Sequence, residues 1–204
     1  MSRTLHDFVY LASQSPRRRQ LLEQIGVRYE LLLPDPHEDA EALELPLPRE
    51  APLRYVERVT RAKLAAARTR LQRRGGVAAP ILCSDTTVAL GGRILGKPQD
   101  AAEAAAMLHA LSGREHRVLT AVALGHGRRT QCLVNVSRVK FAPLSRAEVD
   151  RYVASGEPMG KAGAYAIQSQ AAAWIERIAG SYSGIMGLPL FETAQLLRRF
   201  GVRF

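Results

Sequence analysis

Six consecutive residues, Ser13-Gln14-Ser15-Pro16-Arg17-Arg18, put two hydroxyls and two guanidinium groups around one proline. Proline is favoured in the first turn of a helix, and a serine before it suits the N-cap. A helix start carries unpaired N–H groups and a partial positive charge. Cations oppose that dipole, so Arg17 and Arg18 gain most if an anion sits among them. Helix starts bind phosphate readily, and hydroxyls and arginine forks match its geometry. The competing reading is an exposed basic turn. The spacing is neither a P-loop nor a dinucleotide fingerprint.

Three further places carry polar groups where apolar ones would be expected. Asp85 interrupts the apolar run "ILCSDTTVAL". Burying a carboxylate is costly unless it is paired or holds a metal. Near a phosphate site it would bind Mg²⁺ or orient water, with Glu38 or Asp39 as a second ligand. The alternative is an aspartate at a frayed strand end. Lys97 lies in "ILGKP", between a glycine that permits close approach and a proline that stiffens the exit. In "SGEPMGKAGAYAIQSQ", residues 155–170, small residues surround Lys161 and Gln168. That density of glycine and alanine permits either a ligand or a tightly packed loop.

The elements that must position these groups follow from patterning. Residues 7–12 read as a buried strand, and Pro16 opens a helix capped by Ser15 and stopped at Gly26. Residues 27–33 read as a second strand. Residues 34–52 hold five prolines and six acidic residues and read as a loop or lid. Apolar residues recur at helical spacing over 53–73, while Arg54, Arg58, Arg61 and Arg68 line a face read as solvated. A strand over 79–90 turns at Gly91-Gly92 into "RILGKP". An alanine-rich helix covers 100–111. Two long antiparallel strands, 116–125 and 130–142, are joined by "HGRR". Ser145-Arg-Ala-Glu148 has capping-box spacing and opens a helix to about Ala154. Short strands are expected near 164–168 and 173–178, and a last helix over 190–200. The result is an α/β chain with a mixed, partly antiparallel sheet.

Composition narrows the partners. The chain has 204 residues, 47% of them hydrophobic, enough for one domain with a core, and a net charge of +10. That balance points to an anionic partner: nucleic acid, a membrane surface or a phosphorylated small molecule. A nucleic-acid-binding module would leave Asp85 and the acidic loop without a purpose, and aromatics for stacking are few at 6%. Cys83 and Cys132 fit a reduced compartment, no Cys/His spacing resembles a zinc site, and no apolar run suffices to span a bilayer. The N-terminal residues lack the apolar core of a signal peptide.

In order along nearly the whole chain, "LASQSPRRRQLLEQIG", "SDTTVALGGRILGKPQDAAEAAAML", "LSGREHRVLTAVAL" and "YVASGEPMGKAGAYAIQSQAAAWIERIAGSYSGIMGLPLFET" resemble the Maf family of nucleoside triphosphate pyrophosphatases. The resemblance implies one Maf-like, inosine-triphosphatase-like domain over residues 1–204, with two lobes around a central cleft. It implies hydrolysis of a nucleoside triphosphate to monophosphate and pyrophosphate with a divalent metal, Mg²⁺ or Mn²⁺. It further implies a cytoplasmic homodimer with no membrane or specific nucleic-acid partner. The matching positions are Ser13, Arg17, Arg18, Glu38, Lys63, Asp85, Thr86, Lys97, Lys161 and Gln168. By that match Asp85, Glu38 and Lys97 are catalytic, with Glu38 and Asp85 also holding the metal. Ser13, Arg17, Arg18, Lys63, Thr86, Lys161 and Gln168 bind substrate. Arg19 matches no functional position and is expected to be a solvated flank.

The subfamily follows from chemistry. One branch resembling this chain carries glutamine at the position of Gln168 and acts on dTTP and UTP; another carries glutamate and handles 7-methyl-GTP. An amide both donates and accepts, which suits the carbonyl and N–H edge of thymine or uracil. An enzyme of the same fold acting mainly on modified or purine nucleotides is the alternative. The family pattern has aspartate where Gly160 stands, and glycines where Ala166 and Ser169 stand.

Overall fold

The computed structural model describes residues 5–39 and 41–204. Seven strands form one sheet in the order β2-β1-β3-β5-β6-β7, with β4 paired to β3 off that path. The strands are β1 (Val9–Leu11), β2 (Tyr29–Leu31), β3 (Ile81–Leu90), β4 (Arg93–Leu95), β5 (Glu115–His126), β6 (Arg129–Phe141) and β7 (Ile175–Ala179). The helices are α1 (Pro16–Gln24), α2 (Pro52–Arg73), α3 (Ala101–Leu111), α4 (Arg146–Ala154), α5 (Tyr182–Met186) and α6 (Leu190–Phe200). The sheet is mixed: β1 runs parallel to β2 and β3, and the remaining pairs are antiparallel. No helix among the described residues is long and apolar enough to cross a membrane.

The decisive feature is the edge of β3. One edge pairs with β5 continuously from Ile81 to Ala89. The other meets β1 only at Ile81 and Leu82, and β4 only from Val88 to Leu90. Residues 83–87 therefore face a gap between two partner strands. Side chains alternate across a strand, so this stretch can supply groups on both faces of the sheet. On one face Cys83 and Ala89 join apolar clusters with α2, through Leu64 and Ala67 at one end and Val56 and Val59 at the other. On the opposite face Leu82 packs with α6 through Leu196 and Leu197, and Val88 packs with α3 through Leu108. Between those flanks the strand carries Ser84, Asp85, Thr86 and Thr87. Each apolar layer is thus interrupted at one place, and the interruptions coincide with the gap.

Three local expectations are corrected. Ser15 takes the N-cap position of α1, but its side chain makes no capping bond. Its own N–H donates to Ser13 Oγ at 3.2 Å instead. The stretch expected as a strand near 164–168 is a 3₁₀ turn, Ala162–Ala164, followed by irregular chain. Gly163 explains this: it sits at φ 68°, and a Cβ there would lie 2.9 Å from the Val88 side chain. Close packing on β3 and an N–H bond to Gly96 C=O (3.0 Å) override the local β preference of Ala-Tyr-Ala-Ile. Lastly, two of the arginines assigned to a solvated face of α2 are used. Arg58 holds Glu50 and the Leu45 carbonyl, and Arg68 reaches the Arg129 carbonyl. The capping box of α4 is present as expected.

Candidate active site

A cavity of about 670 Å³ opens at the gap in β3 and is lined by all ten residues singled out in the sequence: Ser13, Arg17, Arg18, Glu38, Lys63, Asp85, Thr86, Lys97, Lys161 and Gln168. They come from segments far apart in the chain, and the fold brings them to one place.

The start of α1 forms one wall. Arg18 Nε donates to the Gly187 carbonyl at 2.7 Å, and its Nη1 donates to Ser13 Oγ at 3.1 Å. Arg17 Nε reaches the Met186 carbonyl at 3.3 Å. Both guanidinium groups are therefore oriented by the end of α5 rather than waving in water. Burial lowers the pKa of each, and for Arg18 the neighbouring Asp85 opposes that. Ser13 Oγ accepts from both Ser15 N–H and Arg18, so its lone pairs are used and its proton is free to donate. Because Ser15 does not cap the helix, the first turn keeps unpaired donors on this wall.

The floor is a charged cluster centred on Lys63 of α2. Its ammonium donates to Asp85 Oδ1 at 2.5 Å and to Glu44 Oε1 at 2.6 Å. Glu44 Oε2 lies 2.8 Å from Lys97. Burial pushes the Asp85 carboxyl above the ordinary carboxylate range, against the pull of Lys63 and Arg18. Burial also acts to raise Glu44, but the two lysines win and hold it below its ordinary value. Two carboxylates from separate elements thus converge on one cation. Those are hard oxygen donors of the kind that hold Mg²⁺ or Mn²⁺, and the ammonium marks where positive charge is stable. Among the described residues no group of three or more His, Cys, Asp or Glu side chains is placed to hold a metal ion. An ion that keeps several waters and takes phosphate ligands suits such a site.

Glu38 also lines the cavity but is held differently. Arg70 Nη2 donates to its Oε2 at 2.5 Å and Arg73 Nη2 to its Oε1 at 2.8 Å. Arg70 above all, with Arg73, depresses its pKa to about 2. Glu44 and Arg70 are site residues that the sequence reading did not name. Arg70 had a signal: it lies seven residues, two helical turns, after Lys63 and so shares its face. Glu44 had none beyond the acidity of its loop.

The third wall is the segment from Gly160 to Gln168. Lys161 Nζ donates to the Glu157 carbonyl, and burial lowers its pKa. Gln168 is exposed to the cavity, and its amide makes no hydrogen bond to any described residue. Behind this wall Tyr165 hydroxyl and His116 Nε2 lie 2.7 Å apart in the core.

An α/β fold whose cleft gathers arginines, lysines, hydroxyls and carboxylates in this way belongs to the class that handles a small polyanion. Residues 8–200 match the family described as Maf-like protein, and the chain belongs to that family. A protein of Albidiferax ferrireducens named dTTP/UTP pyrophosphatase is 63% identical over 199 residues, covering 98% of this chain and all of the relative. One of Polaromonas sp. with the same name is 65% identical over 197 residues, covering 97% and 98%. Among solved structures, the Staphylococcus aureus Ham1 protein shares 13% identity at a TM-score of 0.40, over 67% of this chain and 72% of that one. That likeness is too partial to bear on the site.

Proposed function

We infer that this chain is a nucleoside triphosphate pyrophosphatase that hydrolyses dTTP and UTP to the nucleoside monophosphate and pyrophosphate. The observation that carries the reading is the Lys63–Asp85–Glu44 arrangement facing Arg17 and Arg18 across one cavity, in a chain whose relatives bear that name. Arg17, Arg18, Lys97 and Lys161 neutralise the triphosphate. Ser13 donates to it. Asp85, with its pKa raised by burial, takes a proton from the attacking water, which Lys63 helps to hold in place. Asp85 and Glu44 are the carboxylates that would hold a divalent cation, Mg²⁺ or Mn²⁺, which when bound would offset phosphate charge and acidify water; Glu38, the ligand expected from the resemblance, is engaged by Arg70 and Arg73. Gln168 offers both a donor and an acceptor to the base, as the edge of thymine or uracil requires. Family resemblance supports a cytoplasmic homodimer, and the unbonded Cys83 and Cys132 fit a reducing compartment.

The test is product analysis over a nucleotide panel. Pyrophosphate and monophosphate should appear fastest from dTTP and UTP. A preference for 7-methyl-GTP or another purine nucleotide would overturn the pyrimidine assignment, and phosphate in place of pyrophosphate would overturn the reaction.

A further inference from the structure

The segment that carries Lys161 and Gln168 contains a strained turn. Gly163 and Ala164 both lie in the left-handed region, at φ 68° and 63°. Glycine takes that conformation freely; alanine does not, because its Cβ crowds the following carbonyl. Such residues persist only where their surroundings over-determine them, and they cluster at functional sites. Two long-range polar ties hold this one. Gly163 N–H donates to the Gly96 carbonyl at 3.0 Å. Directly after Ala164, the Tyr165 hydroxyl lies 2.7 Å from His116 Nε2. Among the described residues, this is the one side-chain hydrogen bond that joins residues 160–168 to a distant part of the chain. The bond of Lys161 reaches back only to Glu157.

The pair suits positioning better than packing. His116 and Tyr165 are 2% and 6% exposed, and an apolar side chain would avoid the cost of burying an imidazole. A buried polar pair whose needs are met specifies one arrangement of its neighbours. His116 stands on β5 opposite Val139 of β6, so its backbone is held by the sheet. Its ring meets Phe141 edge-on at 5.0 Å, and Phe141 meets Tyr165 at 4.8 Å. Burial lowers the His116 pKa to about 4, so the imidazole is neutral near pH 7 and needs no counter-charge. Tyr165 lines the cavity and His116 does not. We propose that His116, from outside the cleft, fixes the strained turn through Tyr165 and so aims Lys161 at the phosphates and Gln168 at the base. His116 is a positioning residue. The proposal rests on the triphosphate reading above for the ligand that these two side chains meet.

The experiment is kcat and KM for UTP, with thermal unfolding of the same samples, on the wild type, Tyr165→Phe, His116→Phe and the double variant. Tyr165→Phe removes one oxygen and keeps the ring. Its KM should rise about ten-fold, since a small displacement of binding groups is costly. Its kcat should stay within about three-fold, because Asp85 and Lys63 stand on other elements and the lost contacts serve ground and transition states alike. His116→Phe should do the same. The double variant should be no worse than the worse single one, because all three lack the same bond. A lowered Tm with wild-type KM in folded Tyr165→Phe would make the pair a core contact only and overturn the proposal. Increases in KM that multiply in the double variant would overturn it equally. Should one single variant not fold, the other is read alone, and wild-type KM there is decisive against it. A wild type that releases no pyrophosphate from UTP fails the functional reading instead, so the two failures are distinguishable.

Discussion

Two charged clusters sit seven residues apart on the same face of α2, and they behave differently. At the first, Lys63 joins Asp85 and Glu44, with Lys97 beyond. At the second, Arg70, Arg73 and Arg74 clasp Glu38 and Asp35. Each holds two carboxylates. The guanidinium cluster uses flat forks, including a two-pronged contact from Arg70 to Glu38, and Arg70 Nη1 also pins the Leu32 carbonyl at 3.0 Å. It fastens the chain that leaves β2. The ammonium cluster uses point charges on flexible stems, which can exchange one anion for another. One cluster is a fastener and the other is a place for a substrate to enter. The same helix face serves both because one end lies beside the chain that leaves β2 and the other beside the gap in β3.

The largest expected effect breaks the lysine cluster. Asp85→Asn should lower kcat for dTTP by about 10²–10⁴, the usual loss for a general base. Its fold should persist, because Lys63 keeps Glu44; near-wild-type pyrophosphate release would remove Asp85 from its role. Exchanging the cations sharpens the contrast. Lys63→Arg should cost about ten-fold or more in kcat/KM, because a rigid fork holds Asp85 and Glu44 and does not let go. Arg70→Lys should leave kcat/KM within a few-fold yet lower stability by about 1–3 kcal/mol, as buried polar groups lose partners. Urea unfolding and steady-state kinetics on the pair check this, and a kinetic loss in Arg70→Lys matching that of Lys63→Arg would erase the distinction.

The acid side separates the clusters further. Arg70 and Arg73 hold Glu38 well below its ordinary value of 4.5, at about 2. A depressed carboxylate stabilises the fold above the unfolded value and loses that contribution as pH falls. Wild-type stability should therefore decline from about pH 4.5 towards pH 2, and Glu38→Gln should flatten that decline. Asp35 is also depressed by its arginines, so the slope should shrink without vanishing. Glu44→Gln should instead raise the Mg²⁺ concentration for half-maximal rate several-fold, with Glu38→Gln much closer to wild type. The reverse order would assign the metal to the arginine-bound carboxylate.

Much of this was legible in the chain, for reasons that differ by element. The long strands β5 and β6 announce themselves through runs of apolar and β-branched residues split by a glycine-containing turn, and α2 through its apolar stripe. Asp85 and the serine–arginine turn stood out because each costs free energy unless something compensates it. The gap in β3 was not legible, since it arises where β1 and β4 reach only the two ends of one strand. Long-range pairing of that kind leaves no local trace. Gly163 misled in the same way: its role is set by Val88, 75 residues away by position, and not by its neighbours. Glu44 stayed hidden because a proline-rich acidic segment has no period by which to choose one carboxylate from six.

The smallest expected effect completes the series on α2. Glu57 and Arg61 pair at 2.8 Å, one helical turn apart, with side chains 40% and 48% exposed. Distance alone would rank this contact with Lys63 and Glu44. Water decides otherwise, because it screens both charges and solvates either one when the other is removed. Glu57→Gln should cost about 0.3–0.5 kcal/mol, which for a chain of this size moves Tm by about 1 °C. kcat/KM should not change. A loss of several degrees would mean that contact length governs these pairs. The difference between the lysine and arginine clusters would then need an origin other than the chemistry of their cations and their access to solvent.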